Sequence, residues 1–169
     1  MRARVREAQG SEVVLVASNK PEAPGIAWAK EHLIPTWSTD SRGMTKAEWE
    51  AGLEAEVDRH SAGTIALAGF MRILSPEFTA RWSGRIVNIH PSLLPKYRGL
   101  HTHKRAIEAK DEVSGCSVHL VTEQLDAGDV IAQAQVPVLD GDTPETLESR
   151  VLEAEHRLYP RALSEFVSR

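Results

Sequence analysis

The chain has 169 residues, one domain's worth (1–169), and at that length roughly 70% of the unfolded surface can be buried. Twenty Lys and Arg against 24 Asp and Glu leave a net charge of −4, with 41% hydrophobic residues and a mean hydropathy of −0.30, which excludes a disordered tail. No apolar run reaches the roughly 18 residues of a membrane-crossing helix, and the acidic balance argues against a chain built to neutralise nucleic-acid phosphates.

The opening MRARVREAQG is charged and lacks the apolar centre of a secretory signal; Arg2, Arg4 and Arg6 read as a solvated helix face. Residues 13–17 (VVLVA) form a continuous apolar, β-branched run, which predicts an inner strand buried on both faces. Residues 23–33 carry helix formers. Between 45 and 60, apolar Trp49, Leu53 and Val57 recur every four residues, as on an amphipathic helix. Residues 64–70 (TIALAGF) repeat the buried-strand pattern, and Ser75-Pro76-Glu77 opens a helix with Ser as its cap. Residues 85–90 (RIVNIH) return to strand, and KRAIEAKD after His103 gives a short helix. Residues 117–125 and 130–139 bracket the turn Asp126-Ala127-Gly128-Asp129 and predict a hairpin. From Thr143 onward Leu147, Val151, Ala154, Leu158, Ala162 and Phe166 step by three or four, giving one long helix with a bend at Pro160. The expected fold is an α/β domain: a mostly parallel, twisted sheet with helices on both faces. Trp28, Trp37, Trp49 and Trp82 are scattered and read as packing or surface residues.

Alternation along residues 85–90 puts Asn88 and His90 on one face and Val87 and Ile89 on the other. Both polar groups stand at the strand's carboxyl end, where open α/β sheets bind ligands. Pro91 then stops the ladder. The plainer reading is that Asn88 caps the turn and His90 is a satisfied, half-buried histidine. The loop with Asp126 and Asp129 is in the same way either a solvated turn or a source of one carboxylate for His90. A carboxylate there would favour the imidazolium and orient it as a general acid. An Asn amide beside a protonated His can hold a developing oxyanion, so the trio suits acyl transfer to an amine without a Ser or Cys nucleophile.

His101 and His103 near His90 raise a metal site, but there is no HExxH or CxxC, and the single Cys116 lacks a partner at ligand spacing. No metal is therefore expected. A lone cysteine also rules out an internal disulfide, and a reducing cytoplasm is the expected setting. No GxGxxG follows a predicted strand, which argues against a dinucleotide.

NIHPSLLPKYRGLHTH at residues 88–103 resembles the signature of the folate-dependent formyltransferases. The resemblance extends to AGFMRILSPEF (68–78), GCSVHLVTEQLDAGDVIAQAQVPV (115–138) and EHRLYP (155–160), and it is strongest to the branch acting on glycinamide ribonucleotide. It implies a Rossmann-like formyltransferase fold and 10-formyltetrahydrofolate as the one-carbon donor. His90 then matches the proton donor, Asn88 the group holding the formyl oxygen, and Asp126 the aspartate that keeps the histidine charged and orders a proton-carrying water. Met71, Arg72, Ile73 and Leu74 match the segment whose backbone meets the pterin. Lys46 falls where the family commonly has a folate-contacting arginine, and lysine lacks that planar fork. Glu155 matches an acid that contacts the glycinamide substrate, with Gly69 and Met71 beside that pocket. Leu94-Pro95 resembles a cis bond.

The family opens with an apolar strand and a GxGSN-type turn that holds the substrate phosphate. The resemblance implies that this chain lacks both, with MRARVREAQG matching the tail of the first helix. Two inner strands would then be exposed or joined by strand exchange, in a monomer or a homodimer. Two other readings follow. One keeps the folate site with water, a sugar amine or methionyl-tRNA as acceptor, although the net charge of −4 argues against tRNA and EHRLYP favours glycinamide ribonucleotide. The other is a truncated relative that binds folate without turnover.

Overall fold

The computed structural model describes residues 12–169. The basic opening stretch, with the Arg2, Arg4 and Arg6 face and the expected helix tail, lies outside the described residues. Among those described, the order is β1 (Val16–Ser18), α1 (Pro24–Glu31), β2 (Thr36–Ser38), α2 (Lys46–Arg59), β3 (Ile65–Leu67), α3 (Pro76–Arg81), β4 (Ile86–His90), α4 (Thr102–Glu108), β5 (Val113–Leu120), β6 (Val130–Pro137) and α5 (Pro144–Val167). β1 and β2 pair in parallel, and a second sheet runs β3-β4-β5-β6. β3 is parallel to β4, whereas β5 and β6 run antiparallel, as their hairpin connection requires.

Helices cover both faces because the strands alternate. Val87, Cys116 and Val118 point into a core closed by the α5 stripe of Leu147, Val151, Ala154, Leu158 and Ala162. Ile86 points the other way, into a core built by Trp49, Leu53 and Val57 of α2 with Leu74, Phe78 and Trp82. Leu15 and Trp37 pack on that second core, so α2 links the small sheet to the large one. The starts of α2 and α3 are capped by side chains, that of α3 by Ser75 as read from sequence. The Thr45 hydroxyl accepts the Glu48 N–H at 3.2 Å, the Glu48 carboxylate accepts the Thr45 N–H at 2.8 Å, and Ser75 caps α3 at 3.1 Å. α5 continues for 24 residues through Pro160.

The first predicted strand needs correction. Only Val16–Ser18 is strand, Val13 is 40% exposed, and Ala17 is exposed rather than buried on both faces. The reason is positional: among the described residues β1 has a strand neighbour on one side only. β2 has no counterpart in the sequence reading, because a three-residue strand is too short to show a period. Residues 121–125, expected to extend β5, instead enter the loop that carries Asp126.

Candidate active site

On β4, Asn88 and His90 project to the face opposite Val87, as alternation demands. The antiparallel register sets His119 of β5 directly across from Asn88. The Asn88 amide donates to His119 Nε2 at 3.2 Å, and His119 Nδ1–H donates to the Leu120 carbonyl at 2.8 Å. His119 is 2% exposed, and burial holds its pKa below the ordinary histidine value, so it serves as a neutral acceptor that fixes the amide. One amide hydrogen of Asn88 remains for another acceptor.

His90 is 6% exposed and held from two sides. Its Nε2–H donates to the Tyr97 carbonyl at 2.9 Å, which assigns that nitrogen as protonated. Its Nδ1 lies 3.4 Å from Asp126 Oδ2, an ion-pair distance longer than a short hydrogen bond, so Nδ1 is paired with charge yet still free to engage a reacting atom. The turn that carries the Tyr97 carbonyl is itself braced, and Ser92 Oγ lies 3.4 Å from that carbonyl. Ser92 Oγ donates to the Lys96 carbonyl at 2.6 Å, Ser117 Oγ donates to the Ser92 carbonyl at 2.6 Å, and Gln133 donates to the Leu94 carbonyl at 2.9 Å. The turn contains a cis Leu94-Pro95 bond, as the sequence resemblance implied.

Asp126 arrives from the loop between β5 and β6. Its φ of 48° is left-handed, a conformation that short Asp side chains tolerate. Oδ2 also accepts the Gly99 N–H at 2.9 Å, and Oδ1 stands 3.6 Å from His119 Nε2. Gly128 lets this loop fold back, since a Cβ there would collide with the Leu120 carbonyl. Asn88, His90 and Asp126 therefore converge, and His119, which the sequence reading passed over, ties them together. Its signal was its position in SVHL, two residues beyond Ser117 on the same strand face.

The remaining candidates lie around this centre. Gly69, with φ 66°, turns the chain out of β3 into residues 71–74. There Met71 and Ile73 are 78% and 64% exposed, Leu74 is buried in the second core, and the Arg72 guanidinium lies over the Trp49 ring, 5.6 Å from its centroid. Among the described residues, none of the four backbone N–H groups at 71–74 has an acceptor. Lys46 is exposed at the first turn of α2, and no described contact joins it to this segment. Glu155 is half-buried on α5. Burial, reinforced by the nearby Glu148 charge, raises its pKa to about 7. Its own charge in turn adds to the burial that pushes the Cys116 thiol up to about 12.

The sequence model of the formyl transferase family matches residues 1–163. The chain belongs to the formyl transferase family. Escherichia coli K12 phosphoribosylglycinamide formyltransferase is 47% identical over 152 residues, which cover 89% of this chain and 72% of the relative. The trifunctional purine biosynthetic protein adenosine-3 of Gallus gallus is also 47% identical, over 90% of this chain but 15% of its own length. The crystal structure of phosphoribosylglycinamide formyltransferase from Brucella melitensis superposes with a TM-score of 0.86 at 52% identity, covering 94% of this chain and 82% of that chain.

Proposed function

We propose that this chain transfers the formyl group of 10-formyltetrahydrofolate to the primary amine of glycinamide ribonucleotide, a step of purine synthesis. The observation that carries the reading is the His90 imidazole held between the Tyr97 carbonyl and Asp126, with the Asn88 amide on the same strand face. The glycinamide acceptor is supported by the named relatives and by EHRLYP at the site's α5 edge.

A pterin needs hydrogen-bonding backbone beside apolar surface. Residues 71–74 offer that: N–H groups unpaired among the described residues, exposed Met71 and Ile73, and Leu74 beneath. The folate supplies an activated formyl carbon and a nitrogen that departs. The remaining amide hydrogen of Asn88 and Nδ1–H of His90 stabilise the formyl oxygen as the amine adds and negative charge builds there. Asp126 keeps the imidazole oriented, and its Oδ1, which accepts no hydrogen bond among the described residues, receives the amine's proton directly or through one water and returns it to the leaving folate nitrogen. One N–C bond forms, one breaks, and no electrons are exchanged. Glu155 and Gly69 bound the acceptor's side of the crevice. The setting is read as cytoplasmic, in keeping with a free, buried Cys116; among the described residues, no helix is long and apolar enough to cross a membrane.

The test is formylation of glycinamide ribonucleotide by the wild-type chain, with His90→Ala and Asp126→Asn alongside. Each variant should lower kcat by about 10²- to 10⁴-fold while unfolding at the wild-type temperature. Near-normal rates in both would defeat the assignment. Formate release without an amine would point to water as the acceptor, and folate binding without acceptor binding to the non-catalytic reading.

A further inference from the structure

One buried hydroxyl lies at the joint between the parts of this crevice. Tyr159 on α5 is 8% exposed, and its Oη lies 2.7 Å from the Leu67 carbonyl and 3.0 Å from the Val87 carbonyl. A phenol has one proton, so these two acceptors share it. Leu67 is the last residue of β3 and pairs with Asn88; beyond that point β3 leaves the ladder while β4 continues to His90. The hydroxyl therefore sits where the two strands part, beside Asn88. Val87 directly precedes Asn88, Leu67 comes two residues before Gly69, and Glu155 lies on Tyr159's own face of α5, one turn earlier.

We propose that Tyr159 is a positioning residue for the transfer: its hydroxyl locks α5 to the tips of β3 and β4, and so fixes Asn88, the Gly69 turn and Glu155 relative to one another. The inference rests on the transferase reading above. Packing alone does not supply this register. The stripe of Leu147, Val151, Ala154 and Leu158 holds α5 on the sheet through non-directional apolar contact. A hydrogen bond to two named carbonyls is directional and selects one placement. Formyl transfer between two bound substrates needs that placement, because the amine, the formyl carbon and the oxyanion donors come from different elements.

Y159F deletes the hydroxyl and little else. It should lower kcat about tenfold or more and raise KM for glycinamide ribonucleotide severalfold. In an Asn88→Ala background the same change should cost less than twofold in kcat, because the group it positions is gone. A Y159F chain with kcat and KM within twofold of wild type, whatever its Tm, overturns the proposal, as does a full Y159F effect in the Asn88→Ala background. If the wild-type chain does not formylate glycinamide ribonucleotide, the transferase reading fails and the positioning role is decided by NMR. The Asn88 side-chain amide resonances must move in Y159F, and their staying put overturns it. Should Y159F not fold, hydrogen exchange of the wild-type chain decides: residues 67–70, 87–88 and 155–159 should open as one unit, and independent opening overturns the role.

Discussion

Two sides of one crevice are built on opposite terms. On the β4–β5 side each ring nitrogen of His90 and His119 has a partner within the chain, and both Asp126 oxygens face an imidazole. On the side formed by residues 71–74 and α2, the reverse holds. Among the described residues, four backbone N–H groups are unpaired, Arg72 Nη1 and Trp49 Nε1 are buried without an acceptor, and two large apolar side chains stand in solvent. The first side is finished before a ligand arrives, which is what electrostatic stabilisation of a charged transition state requires. The second offers unspent hydrogen-bonding capacity, which is what binding a planar heterocycle requires. Substitutions on the first side should therefore appear in kcat, and those on the second in KM or stability.

The largest break in that contrast is Asn88→Ala. It removes the proposed oxyanion donor, whose amide His119 holds in place, and kcat should fall about 10²- to 10³-fold with KM for the folate little changed. A loss confined to KM would erase the distinction between the two sides. Next is Leu74→Ala, at the root of the ligand-facing segment. Leu74 packs among Trp49, Phe78 and Trp82, so truncation should destabilise the chain by about 2–3 kcal/mol. For a chain of this size that lowers Tm by roughly 5–10 °C in a calorimeter.

His119→Ala sharpens the comparison from the finished side. The amide of Asn88 loses the acceptor that orients it, and kcat should drop about tenfold, less than for deleting Asn88 itself, because the donor remains but wanders. Parity of the two variants would mean that His119 acts in the chemistry directly.

Glu155 supplies a pH-dependent test of smaller size. Its folded pKa of about 7 lies above the ordinary carboxylate value, so the folded chain holds the proton more tightly than the unfolded one. That contribution is fully present below about pH 4.5 and is lost as the pH rises through about 7. Glu155→Gln should therefore match wild-type Tm at pH 4 and exceed it at pH 8 by about 2–4 °C, roughly 1 kcal/mol after allowing for partial exposure. Equal Tm differences at both pH values would show that the buried carboxyl does not titrate there.

Much of the finished side was legible in sequence because strand alternation is geometric. Once residues 85–90 are a strand ending at Pro91, Asn88 and His90 must share a face. The hairpin composition likewise located the Asp126 turn, and the Ser75 cap fixed the start of α3. His119 escaped because its role depends on cross-strand register, which alternation within one strand does not reveal. Tyr159 escaped because its partners are backbone carbonyls 92 and 72 residues away, and a carbonyl leaves no mark in sequence. The burial of residues 13–17 was misread because β-branched composition reports strand propensity, whereas depth depends on neighbours.

The smallest expected effect belongs to Lys46. It stands in solvent at the start of α2, three residues before Trp49 and so one turn from the ring that Arg72 overlies. A solvated ammonium attracting a ligand carboxylate contributes about 0–1 kcal/mol, which limits the rise in KM for the folate on Lys46→Ala to about fivefold, with no change in kcat. Lys46→Arg should lower that KM below wild type if the ligand's acid group lies within reach, because a planar fork can donate two parallel hydrogen bonds where an ammonium acts as a point charge. Raised salt should shrink both differences, since exposed charges are screened within about 8 Å at physiological ionic strength. A tenfold or greater KM effect that persists in high salt would place Lys46 in a desolvated contact and move it from the open side of the crevice to the finished one.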